Sequence, residues 1–564
     1  MRLPRGVALE ATCRRLGGIV NNETSRPAAD RSTGAAATRR TFIAGGIAAG
    51  AMLSLPGSGR ADDAPKRGGI LEYAVDAEPP TYDCHASVTF AVLHPIAPHY
   101  STLLQFDAPN YPEVKGDLAQ SWTVSADKRT YAFKLHPNVL FHDGSPLTSA
   151  DVKASYERIV RPPPGVVSAR QVNYAAIETI ETPDPLTVVF HLQWPEAAML
   201  QNFASEWNSI YSAARLREDP QFPSKHVLGS GPFVFVEHIK GDHWAGKRFD
   251  RYFRAGRPYL DGFRADFVTG AKVIQGIEAG RIMAEFRFIT PKERDELVSK
   301  LGEGVTIYES PTLLSLLLVF NAKRSTFGDV RVRQALSLAI DRWGGAEALS
   351  QDTVLKFVGG LMRPGSTMAT PEVDLVKLPG FARDIAASRA EAKRLLQEAG
   401  AAGMTVRLTN RNLPQPWIPG GDYVAEAWRA IGLKVDHQKL GLKEWTKNVE
   451  AGDFDAAIDF EGDYFDDPTQ QLAKWVSPDL SPVNFSGSTD RFLDALFAGQ
   501  VLTTDSHERL KIVREFERRA LTDAYTVPIL WYNRIVPTAA YVKGWNMTPS
   551  QYIGQDLADV WLDR

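Results

Sequence analysis

LAQSWTVSADKRTYAFKLHPNVLFHDGSPLTSADVKASYERI, residues 118–159, decides how this chain is read. SWTVS, a polar ADK turn, then Tyr131, Phe133 and Leu135 alternating with Ala132 and Lys134 predict a β-hairpin. Pro137 and Asn138 turn the chain, Val139–Phe141 reads as a short strand, and Asp143-Gly144 supplies another turn. Thr148 reads as a helix N-cap with Asp151 at the third helical position, a capping box, and Val152, Tyr156 and Ile159 follow at helical spacing. His142, Asp143, Ser145 and Ser149 crowd the same stretch and are the chain's best candidates for a hydrolase. A nucleophile needs a base set against it and an oxyanion site. No strained G-x-S-x-G elbow is present, and each of the four has a structural or surface role. The stretch reads as scaffold, and no catalytic residue is expected.

Outward from this block, the chain has 564 residues, 44% apolar and 23% charged, enough for about two to four domains. Net charge is −3, so no basic field points to nucleic acid. The first sixty residues differ from the rest. Arg39 and Arg40 precede a Gly/Ala-rich apolar run, Phe42 to Leu55, shorter than the roughly 20 residues a spanning helix needs. With small residues ending at Ala61, residues 1–61 read as an export signal of the twin-arginine type. Without that segment, 55 basic and 64 acidic residues remain, a net charge of −9. Cys13 falls in the signal and Cys84 stands alone, so no internal disulfide, thiolate metal cluster or lipid anchor at the cleavage point is expected. The product is expected free in the periplasm.

The second half alternates helix and strand. DVRVRQALSLAIDR places Val332, Ala335, Leu336, Ala339 and Ile340 on one helical face. SRAEAKRLLQEAG reads as a helix with Ser388 and Glu391 in a capping box and Gly400 just past its end. MTVRLTN, LKVDHQ and FDAAIDF read as strands, with DYVAEAWRAIG and LKEWTKNVEAG as the helices between. That order predicts an α/β unit with a largely parallel sheet. Metal and cofactor signals are missing: the eleven histidines are dispersed, and the prolines of HPIAPH (94–99) oppose a helix. No H-E-x-x-H, dinucleotide fingerprint or Walker A loop occurs. No metal and no cofactor are expected.

Four pieces together resemble the family-5 extracellular solute-binding proteins of ABC transporters, the group of oligopeptide-, dipeptide- and nickel-binding proteins. They are the opening block, GSGPF at 229–233, FGDVRVRQALSLAIDR at 327–342, and the run from AKRLLQEAG through GDFDAAIDFEGDYFDDP to 468. The resemblance implies a periplasmic-binding-protein type II-like two-lobed α/β fold with an additional inserted α+β domain. Residues 62–100, 225–310 and 522–564 would form lobe I, 101–224 the inserted domain and 311–521 lobe II. It implies a monomeric receptor that encloses a peptide or peptide-like solute as its lobes close, for delivery to inner-membrane ABC permease subunits. The same fold could take an oligosaccharide, an opine-like conjugate or a metal chelate. An exported hydrolase is the reading from another class.

An open α/β sheet places its ligand crevice beyond the carboxyl ends of its strands, where FDAAIDF leads into EGDYFDDP. In peptide-binding relatives a Trp-x-x-Asp-Tyr run lies here, and its aspartate receives the ligand's α-ammonium. The resemblance places that carboxylate at Asp463, with Tyr464 beside it and Phe460 in the tryptophan position. One extra residue separates this pair from Asp467-Pro468, which leaves open that Tyr464 takes the carboxylate's place. Asp463, Asp466 and Asp467 can also be read as turn and cap residues of a solvated loop. Tyr82, Trp417 and Trp531 are further candidates to line the crevice by stacking.

Overall fold

The computed structural model describes residues 64–462 and 464–564, so the export signal expected at 1–61 and Asp463 lie outside the described residues. β1 (Ile70–Val75) opens the first lobe and buries Leu71, Tyr73 and Val75. A short helix, Phe90–Ile96, follows and takes in the start of HPIAPH, against the sequence expectation. Pro95 is its sixth residue, so the bond that its N–H would make to the Ala91 carbonyl is given up, and the helix ends one residue later in a 3-10 turn, Ala97–His99.

The inserted unit comprises β2 (Ala119–Val124), β3 (Thr130–Leu135), α1 (Ser149–Val160), β4 (Ile177–Asp184) and β5 (Thr187–Leu192). Its antiparallel sheet has the order β2-β3-β5-β4. The capping box is present: the Thr148 backbone N–H donates to Asp151 Oδ2 at 2.8 Å. Val152, Tyr156 and Ile159 pack against Phe133, Phe190 and Phe203 in its core. Val139–Phe141 is not a strand. The chain folds back through Gly144 (φ +88°), Phe141 N–H bonds the Ser145 carbonyl at 2.8 Å, and one bridge, Leu140 to Pro146, is left.

The strands of the main sheet, with the helices among them that the sequence predicts, continue with β6 (Phe233–Ile239), β7 (His243–Arg248), β8 (Gly262–Phe267), β9 (Ala284–Glu285), β10 (Val305–Phe320), α2 (Val330–Leu338) and β11 (Leu355–Phe357). After them come α3 (Ile385–Glu398), β12 (Thr405–Arg411), α4 (Trp417–Arg429), β13 (Lys434–Leu440), α5 (Leu442–Glu450), β14 (Ala456–Gly462) and β15 (Thr526–Ala539). One eleven-stranded sheet runs through both lobes in the order β13-β12-β14-β10-β15-β9-β1-β8-β7-β6, with β11 on β15. β12, β13 and β14 are mutually parallel, as the β-α-β-α reading predicts. β10 and β15 run antiparallel to their neighbours, so the sheet is mixed rather than largely parallel. These two strands connect the lobes. They pair from Val305↔Ala539 to Pro311↔Asn533, and again from Ser315↔Trp531 to Val319↔Thr526, with a register shift between Pro311 and Ser315.

Two helix starts differ from the sequence reading. Asp384, not Ser388, caps α3, its Oδ1 accepting from Ala387 N–H at 2.9 Å. α4 begins at Trp417, ahead of the expected DYVAEAW, through Ile418-Pro419-Gly420-Gly421. Pro419 lies in the first turn, where its missing N–H costs nothing. The glycines admit close neighbours: a Cβ on Gly420 would stand 2.3 Å from Leu316 Cδ2, and one on Gly421 2.3 Å from Asn410 Nδ2. Tertiary packing explains a pair that local sequence reads as a breaker.

Candidate functional site

The parallel strands β12, β13 and β14 end at Arg411, Leu440 and Gly462, so their carboxyl ends lie side by side. Arg411 sits between two rings, its guanidinium carbon 4.1 Å from the Trp417 centroid and 3.8 Å from that of Trp445. Phe460 is 5.1 Å away and meets Trp417 edge-on, with centroids 5.7 Å apart. Lys474 Nζ bonds Asp459 at 2.7 Å, while Arg411 Nη2 stands 3.7 Å from the same carboxylate. Burial holds the Arg411 pKa below its usual value, opposed by Asp459. This is a cation in an aromatic frame, held by one shared carboxylate.

Past β14 the chain enters the opposing body. Tyr464 accepts a hydrogen bond from Asn173 Nδ2 and packs its ring on Phe465 at 5.3 Å. Phe465 is buried in the core of the inserted unit, 5.6 Å from Phe106. The Asp466 N–H donates to Tyr111 Oη at 2.7 Å. Asp466 is gripped by Arg363, Nε–Oδ1 at 2.9 Å and Nη2–Oδ2 at 2.8 Å. Asp467 pairs with Arg509 through two 2.7 Å bonds and caps a four-residue helix, Pro468–Gln471. Asp467 caps a helix as the turn-and-cap reading has it, whereas Asp466 is neither turn nor cap but the partner of Arg363, and both carboxylates are buried rather than on a solvated loop. Their charges are already matched inside the protein.

Under Tyr464 lies Arg170, 2% exposed, its guanidinium carbon 4.2 Å from the Trp207 ring and 5.5 Å from that of Tyr464. Its Nη1 donates to the Cys84 carbonyl at 3.2 Å, which joins the inserted unit to the segment after β1.

Of the sequence-derived site residues, the structure brings Trp417 and Phe460 together at the strand ends and sets Tyr464 in the second cluster. Tyr82 bonds His238 Nδ1 at 2.8 Å and meets Trp244 edge-on at 4.9 Å, a packing position in the first lobe. Trp531 is buried opposite Ser315 at the lobe crossing, its Nε1 donating to the Gly360 carbonyl at 3.1 Å. Sequence reading missed Arg411, Trp445, Lys474, Arg170 and Trp207. Arg411 carried a signal, since it ends a parallel strand. Arg170, inside a proline-flanked loop, carried none.

Three of the four residues of the opening block hold backbone, Asp143 through the Ser145 N–H at 3.0 Å, and the fourth, Ser145, bonds Asp143. His142 Nε2 bonds the Gly231 carbonyl at 3.0 Å, Asp143 Oδ1 accepts from Ser145 Oγ at 2.6 Å, and Ser149 Oγ donates to the Asp184 carbonyl at 2.7 Å. Burial pushes His142 down to about 4. A surface cavity of about 350 Å³ lies beside this turn, lined by Asp143, Arg215, Phe222, Lys225, His226 and Phe235, away from both aromatic clusters. Among the described residues no group of three or more His, Cys, Asp or Glu could hold a metal ion, and no helix is long and apolar enough to cross a membrane.

Two lobes joined by long shared strands, with a third unit inserted, make the fold of a type II periplasmic binding protein. The chain belongs to the bacterial extracellular solute-binding proteins, family 5, whose middle-region model matches residues 113–481. It is 25% identical over 540 residues to the glutathione-binding protein GsiB of Pectobacterium atrosepticum, spanning 93% of this chain and 98% of that one. Among solved structures it resembles the periplasmic binding protein DppA of Helicobacter pylori in complex with the peptide STSA, with TM-score 0.73, 22% identity and coverage of 88% and 99%. It also resembles AgaA of A. tumefaciens R10 in complex with agropinic acid, with TM-score 0.72, 24% identity and coverage of 88% and 99%. Proteins of this family bind solutes outside the cytoplasm for ABC transporters.

Proposed function

We propose that this protein captures a peptide or peptide-like solute between its lobes and passes it intact to the permease of an ABC importer. The observation that carries the reading is the segment after β14. It leaves the aromatic frame of Arg411 and buries Phe465 in the core of the inserted unit, so the chain itself runs from the strand ends to that unit, and the reading puts the solute between the two. Peptide handling is supported by the relative named for glutathione and by the similar fold solved with a peptide. In this reading Asp463 receives the solute's ammonium beside Tyr464, and Phe460 and Trp417 form an apolar wall. Lobe I takes residues 62–100, 225–310 and 522–564, the insertion 101–224 and lobe II 311–521, with β10 and the start of β15 crossing between the two lobes. The protein acts as a monomer, exported through the twin-arginine route and free of a lipid anchor.

Mass spectrometry of solute released from protein purified without refolding tests the reading. Peptides or peptide conjugates are the expected species. Recovery of only sugars, opine-like acids or metal chelates overturns it. Asp463→Ala is expected to abolish peptide retention; full retention moves the anchor away from Asp463.

A further inference from the structure

The most deeply buried arginines among the described residues are Arg170, Arg333, Arg342 and Arg534. Three are saturated with acceptors. Arg333 donates to the carbonyls of Asp523, Phe327 and Gly328. Arg342 donates to those of Pro528, Ser337 and Gly380, and Arg534 to those of Arg287, Phe286, Thr548 and Ser550. Arg170 is different. Beyond the single Nη1 bond to Cys84, its Nε and Nη2 are buried with no hydrogen-bond partner among the described residues. Trp207 Nε1, on the ring that carries the guanidinium, is another buried donor without a partner there.

Burying a guanidinium without a counter-charge is strongly unfavourable, so an unmatched one needs an explanation other than stability. Nε and Nη2 share one edge of the guanidinium plane. With that same edge Arg363 grips Asp466 in this chain. Two parallel N–H bonds to one carboxylate make the strongest match for that edge. The position also fits a ligand contact. The Cys84 segment, the inserted unit and the loop after β14 meet at Arg170, and Tyr552 closes on Trp207 at 5.6 Å.

We propose that Arg170 is the carboxylate receptor of the cleft, its Nε–Nη2 edge holding an acidic group of the captured solute while the guanidinium lies on Trp207. This deepens the peptide reading, on which it rests, by requiring a free C-terminus or an acidic side chain in the solute.

Titration calorimetry with three equimolar tripeptide mixtures tests it: neutral free acids, neutral C-terminal amides, and amides carrying Asp or Glu. Wild-type protein is expected to bind an acid-bearing mixture, the first or the third showing which carboxylate is read, and to ignore the neutral amides. Arg170→Gln is expected to weaken that binding about 100-fold. Arg170→Lys, which keeps the charge and loses the edge, is expected to weaken it at least about tenfold. A ligand-free arm is independent of peptides: Arg170→Gln raises the melting temperature if the cation is uncompensated. Equal affinity for acids and neutral amides overturns the proposal and leaves the peptide reading standing. Failure of all three mixtures, with the melting temperature raised, overturns the peptide reading and keeps Arg170 as receptor for another acid. A melting temperature lowered by both substitutions makes Arg170 a packing residue and overturns the proposal.

Discussion

Glu196 shows how one buried carboxyl sets a pH dependence. It is 8% exposed beside the Asp467–Arg509 pair, and burial, reinforced by Asp467, pushes it up to about 8 from an ordinary 4.5. Between those values the folded protein holds a proton that the unfolded chain has released. The resulting stability is complete below about pH 4.5 and is lost as pH rises through 8. Glu196→Gln is therefore expected to raise the melting temperature at pH 8.5 and change it little at pH 5. Glu285, pushed up to about 8 mainly by burial, adds a second slope, so the double Gln variant should be flatter than either single one. At this scale the sequence was only partly legible. Phe460 and Trp417 could be found because they flank strand ends. The balance of Arg170 could not, because counting its partners requires Cys84, Trp207 and Tyr464, which are distant in the chain.

Elements were the most legible level, because their signals are local. Hydrophobic spacing located α1, α2 and the three parallel strands, and the Thr148–Asp151 cap is where its spacing puts it. Where a cap was misplaced, the remedy can be measured. Asp384→Ala should cost about 1 kcal/mol in urea unfolding, as loss of an N-cap does, whereas Glu391→Ala should cost far less, since the pair it makes is a surface one with exposed Arg394. At Gly420 two effects compete. A helical Gly→Ala change gains up to about 1 kcal/mol in propensity, but here the new methyl meets Leu316 at 2.3 Å in a packed core, a penalty of about 1–3 kcal/mol. Crowding outweighs propensity, so Gly420→Ala should lower stability. The antiparallel pairing of β10 with β15 was not legible, since the two strands lie more than two hundred residues apart in the chain.

For the whole molecule, the closing segment Tyr464–Asp466 supplies the test. Phe465, on the segment after β14, is buried in the core of the inserted unit, 5.6 Å from Phe106, and the proposed closure makes this a contact of the closed state, which Phe465→Ala removes. Truncating a buried Phe costs about 3 kcal/mol, and a loss confined to the closed state should weaken solute binding at least about tenfold. Small-angle scattering should then show a smaller compaction on adding solute than in wild type; an unchanged compaction would remove Phe465 from the closing contact. Saturating solute should raise the melting temperature of the wild type, by mass action on the folded form. The two long strands have a further practical consequence. Because Val305–Phe320 and Thr526–Ala539 are stitched into the sheets of both bodies, neither body can be expressed as a free-standing fragment without an unpaired edge prone to aggregation. A reporter built from this receptor should keep the polypeptide whole, with its insertion at an outlying hairpin such as Lys240-Gly241, where the added mass leaves the shared ribbons untouched.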